Sequence, residues 1–118
     1  MDSALVTTAL AELTAEHALD DARYAGNYVA YHAARGQGPV RIAADLKALG
    51  LPGELIDSAL EAGPDWRALA RQARVRKFGP DAPGNWAEKG RQARFLQYRG
   101  FSSDHIRSAL GPDFTAEE

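Results

Sequence analysis

The chain has 118 residues, 45% of them apolar and 25% charged, with no cysteine and a net charge of -2. That composition describes one small globular domain or a short repeat array, and the missing cysteine excludes disulfide scaffolds, thiolate zinc sites, iron–sulfur clusters and cysteine nucleophiles. No apolar run nears the roughly 18 to 20 residues of a membrane span, and no basic segment leads into an apolar one at the start, so a cytoplasmic protein without membrane contact is expected.

Leu5-Val-Thr-Thr-Ala-Leu10 opens the chain as part of a helix, assigned with residues 1–19 to the end of an incomplete first unit. Asp20 or Asp21 then caps a second helix reaching about Ala34, with acids where the helix dipole favours them. Tyr24, Tyr28 and Tyr31 recur at i, i+4 and i+7, a spacing read as core rather than as a stacking platform. Arg35-Gly36-Gln37-Gly38 stops that helix, and Pro39 starts the next, where its missing N–H is not needed. Ile42, Leu46 and Leu49 form an apolar stripe ending at Gly50. A short helix from about Gly53 to Glu61 follows, with Leu51 and Ile56 spaced as a hydrophobic staple.

The plan then repeats. Asp65 caps a helix carrying Trp66, Leu69, Ala73 and Phe78. After the loop 79–85, a helix from about Trp86 to Arg99 ends at Gly100, and Ser102 caps a last helix with Phe101 and Ile106 as its staple. Shifting residues 41–60 by 50 places them on 91–110 with eight of twenty positions identical, among them Leu46/Leu96, Gly50/Gly100, Ile56/Ile106 and Leu60/Leu110. Leu5–Leu10 falls on Leu55–Leu60 in the same way. The expected fold is all-α and made of tandem three-helix repeats, elongated and curved: residues 20–63 and 64–112 are complete units behind one orphan helix, and 113–118 is an acidic tail. Units this small bury enough surface only by packing on their neighbours.

Catalytic chemistry is not legible. His17, His32 and His105 fall on three separate predicted helices without metal-ligand spacing. Gly36-Gln37-Gly38-Pro39 precedes a helix but lacks the Gly-Lys-Ser/Thr ending and the preceding strand of a phosphate loop. No nucleophile stands near a base, so neither an enzyme nor a cofactor or metal site is expected.

Charge distribution carries more. Residues 1–63 have a net charge of -5, residues 64–107 of +6 and residues 108–118 of -3. Arg67, Arg71 and Arg74 at i, i+4 and i+7 share one helix face, Arg91 and Arg94 share another, and Lys77, Lys89 and Arg99 lie nearby; such a face suits phosphates or an acidic protein surface. These eight residues are the candidate partner-binding set.

Leu19-Asp-Asp-Ala-Arg-Tyr-Ala25, Arg35-Gly-Gln-Gly-Pro-Val-Arg-Ile42, Lys77-Phe-Gly79 and Arg94-Phe-Leu-Gln-Tyr-Arg-Gly-Phe101 resemble the RecX family of bacterial recombination regulators, in order along nearly the whole chain. The resemblance implies a non-enzymatic protein that lodges in the RecA filament on single-stranded DNA, suppresses its ATPase, strand-exchange and coprotease activities, and in some members contacts DNA directly; a monomer is expected in solution. It also implies that two helices ahead of Leu5 would complete the first unit. The alternative reading is a direct DNA-binding module, because 41–60 and 91–110 are arranged like helix-turn-helix motifs.

Overall fold

The structure, a computed structural model, describes the backbone of residues 3–111 and the side chains of Glu12 and of residues 15–111. It is all-helical: α1 Ser3–Ala34, α2 Pro39–Ala48, α3 Gly53–Glu61, α4 Trp66–Phe78, α5 Trp86–Arg99 and α6 Ser103–Leu110, with no strand among the described residues. The molecule is elongated, 74 × 26 × 20 Å. The side chains of Leu5–Leu10, compared above with Leu55–Leu60, and the acidic tail 113–118 lie outside the described residues.

The two helices expected before Arg35 are one. α1 runs unbroken for 32 residues, so neither Asp20 nor Asp21 is an N-cap. Nothing between Ser3 and Tyr24 breaks a helix: the stretch holds no Gly or Pro and is rich in Ala, Leu and Glu. The two aspartates instead make pairs along the helix surface, His17 Nε2 to Asp21 Oδ2 at 3.4 Å and Arg23 Nη1 to Asp20 Oδ1 at 3.8 Å. His17 and His32 consequently share α1 rather than lying on separate helices.

The repeat of 50 reappears as hydrogen bonding. α2 closes with Gly50 N–H donating to Lys47 O and Leu51 N–H to Leu46 O; α5 closes with Gly100 N–H donating to Gln97 O and Phe101 N–H to Leu96 O. Both are Schellman closures, which place a glycine in the left-handed region, here at φ +91° and +97°. Asp65, Asn85 and Ser102 accept from Ala68, Glu88 and His105 N–H at the starts of α4, α5 and α6.

Each unit has its own core. Ala25, Val29, Ile42, Leu46 and Ile56 pack together in the first, and Ala70, Leu96, Phe101, Ile106, Ala109 and Leu110 in the second. Trp66 packs against both clusters and donates from Nε1 to Leu60 O at 3.2 Å. The units also meet backbone to backbone. Gly38 N–H donates to Arg99 O at 2.8 Å and Val40 N–H to Gly100 O at 2.9 Å. At this junction a Cβ on Gly38 would stand 2.5 Å from the Gly100 carbonyl and from Phe101 N. Gly38 therefore serves close approach between units, and Gly36, at φ +85° with open space around it, serves the turn; neither builds a phosphate loop.

Three apolar expectations change. The tyrosine stripe is not core: Tyr24 and Tyr31 are 48% and 55% exposed and Tyr28 is half-buried. Ala25, Val29 and Ala33 are buried instead, because small side chains let α2 and α3 come close to α1. Tyr24 and Tyr31 lie on the outside of α1, whereas Tyr28 packs against the edge of the first core, its ring tilted on that of His32 at 4.1 Å and its hydroxyl donating to Asp45 Oδ2 at 3.1 Å. Leu49 sits at the helix end and is 56% exposed. Leu60 is only half-buried, whereas its counterpart Leu110 is buried.

His105 gives the fold a pH dependence. Desolvation first, then the nearby Arg67 charge, lower its pKa below the ordinary histidine value. The unfolded chain then binds the proton more readily than the native one, so this contribution is complete above about pH 6.5 and is lost as the pH falls below it. Urea unfolding at pH 7.5 and 5.5 should show a smaller loss of stability at the lower pH in His105→Gln than in the parent.

Candidate functional site

The Gly38–Gly100 junction brings the end of α1 beside the ends of α4 and α5. Between them lies a cleft of about 150 Å³ lined by Arg35, Gly36, Ala73, Arg76, Lys77, Phe95 and Arg99. Phe95 forms its aromatic wall, held edge to face on Phe78 at 5.3 Å. Lys77 Nζ lies 5.8 Å and Arg99 Cζ 5.4 Å from the Phe95 ring centroid, and Arg35 Cζ lies 4.1 Å from that of Tyr31. Such contacts orient cations without neutralising them. Among the described residues, none of the four cations has an ion pair or a hydrogen-bond acceptor, while Asp20, Asp21, Glu88 and Asp104 pair elsewhere.

The eight basic residues picked out from the sequence do not form one face. Lys77 and Arg99 line the cleft. Arg67 borders a separate depression with Arg107 and Asp104 on the α4–α6 side, and Arg71 there donates to Ser108 Oγ at 3.3 Å. Arg91 is bound by Glu88 through two contacts of 3.2 Å, which, with Gln92, hold the Glu88 carboxyl below its ordinary pKa. Lys89 lies 5.3 Å from the Trp86 ring centroid, and Arg94 is exposed on α5.

Arg74 departs most from expectation, being only 7% exposed. The helix is packed on more than one side, and the Ala70–Arg74 line is its innermost edge. Arg74 Nη1 donates to Asp81 O at 3.1 Å and lies 3.4 Å from Gln92 Oε1, tying the 79–85 loop to α5. It acts as a structural strut.

Sequence reasoning missed Arg35 and Arg76. Arg76 lay within the +6 block but off the periodic stripe, and Arg35 lay in the acidic half as part of a helix stop. Only the junction brings them together. The helix-turn-helix alternative meets an obstacle, since the would-be recognition helix α3 exposes Glu54, Asp57 and Glu61, which repel phosphates. Among the described residues, no cluster of three or more His, Asp or Glu could hold a metal, and no helix is long and apolar enough to cross a membrane.

Residues 20–60 match the family model of the second three-helix domain of RecX, and residues 65–110 that of the third. The chain is 45% identical over 109 residues to the regulatory protein RecX of Halorhodospira halophila, covering 92% of this chain and 68% of that protein. It is 42% identical over 107 residues to the regulatory protein RecX of Pseudomonas fluorescens, covering 90% and 69%. Against that of Salmonella typhimurium it is 39% identical over 92 residues, covering 77% and 55%.

Proposed function

Because the chain belongs to the RecX family, we propose that it is a cytoplasmic, non-catalytic monomer that binds the RecA filament on single-stranded DNA and lowers its ATPase, strand-exchange and coprotease activities. Family membership supports a regulatory role. The observation that carries the filament reading is the elongated body, 74 Å in its longest dimension, with unneutralised cations at its inter-unit junction. A filament groove presents acidic protein surface and nucleic-acid phosphate along one path, and a body of this length spans more than one protomer. Bound there, it opposes subunit addition and the conformational cycle coupled to ATP turnover.

The test is steady-state ATP hydrolysis by RecA on single-stranded DNA at increasing concentrations of this protein. Hydrolysis should fall to a small residual rate near one regulator per few RecA protomers. An unchanged rate at saturating protein refutes the reading.

A further inference from the structure

The junction cleft poses an electrostatic problem. Arg35, Arg76, Lys77 and Arg99 place four positive charges around about 150 Å³, and like charges so placed repel. The ordinary explanation is helix capping, since Arg76 and Lys77 lie in the last turn of α4, Arg99 in that of α5, and Arg35 just beyond α1. Magnitudes decide against it. Each helix C-terminus contributes about -0.5 of an elementary charge, so three of them leave a surplus of more than two positive charges. Several carbonyls at these helix ends are also already used by backbone donors: His32 O accepts from Arg35 and Gln37 N–H, Val75 O from Gly79 N–H and Arg99 O from Gly38 N–H. The guanidiniums keep their donors for something else.

We propose that this cleft is a phosphate-binding site assembled from both repeat units, with Arg35 contributed by the first and Arg76, Lys77 and Arg99 by the second. Three guanidiniums and an ammonium offer more donors than the two oxygens of a carboxylate can use, and forked N–H pairs match phosphate oxygens. Phe95 and Tyr31 hold three of the cations in place, so less side-chain freedom is lost on binding. The proposal deepens the filament reading, in which the DNA strand supplies the phosphate, but its test needs no RecA. Failure here leaves the inhibitor reading standing.

The experiment is fluorescence anisotropy of a labelled 20-nucleotide single strand with the full chain. The pair Arg35→Gln/Arg76→Gln is compared with Arg23→Gln/Arg107→Gln, which removes the same charge away from the cleft, at side chains paired with Asp20 and Asp104; thermal melts confirm folding. The cleft pair should bind at least tenfold more weakly, with a salt slope shallower by about 0.7 for each phosphate no longer neutralised, and the control pair should stay within twofold of the parent. Competition identifies the source: displacement by millimolar inorganic phosphate indicates a free phosphate or nucleotide, and displacement only by unlabelled oligonucleotide indicates a strand. Equal losses in both pairs, no binding by the parent at low salt, or displacement by polyglutamate as effective as by oligonucleotide would each overturn the proposal.

Discussion

Gly100→Ala should lower stability by about 2 to 5 kcal/mol, and Gly50→Ala by only about 1 to 2 kcal/mol, although the two glycines occupy the same place in the repeat. Both stand at positive φ, +91° and +97°, so the backbone penalty for a side chain is shared. Their surroundings differ. A Cβ on Gly50 meets nothing within 4 Å, whereas one on Gly100 overlaps the Cβ of Arg41 and lies 2.9 Å from Arg41 N. Arg41 is held on α2, whose first turn hydrogen-bonds to the end of α5, so relief requires the units to separate. Separation breaks the Gly38–Arg99 and Val40–Gly100 bonds and moves Arg99 away from Arg35. Urea unfolding of the two variants gives the comparison directly. Equal midpoints would mean that the junction contributes nothing to stability.

Leu96→Ala and Leu46→Ala should each cost about 2 to 5 kcal/mol, the range for emptying a fully enclosed leucine site. Both side chains are wholly buried, one at the centre of each unit's core. Total stability for a chain of this length is of order 6 to 18 kcal/mol, so either loss is a large fraction of it. Leu60→Ala should cost less, because Leu60 is half-buried. Both variants should lower the midpoint of a single transition with the slope unchanged, since Trp66 packs against both cores and the backbone bonds at Gly38 and Val40 join the units. Two separate transitions would show that the units unfold independently.

Much of this architecture was legible in the sequence because its signals are local. A glycine after an apolar stripe, a serine or aspartate before one, and a proline at a helix start each act within one or two turns, and the offset of 50 showed them twice. The Schellman closures at Gly50 and Gly100 and the caps at Asp65 and Ser102 stand where those signals placed them. The one local misreading was at Asp20 and Asp21. An aspartate serves as a cap or as a partner along a helix surface, and with no breaker nearby the uninterrupted helix wins.

Side-chain surroundings were another matter. Periodicity tells which residues share a helix face, not what packs against that face. α4 packs on both α5 and α6, so Arg74, on the expected exposed stripe, became an internal strut within its own unit, while Tyr24 and Tyr31 were left outside because alanines let the helices close up. The basic cleft joins Arg35 to Arg99, 64 positions along the chain. The sequence by itself determined the helices, their stops and their repetition, through interactions between residues a few positions apart. Only the tertiary structure decided which cations stand together unneutralised, because that depends on two glycines letting one unit's backbone meet the other's.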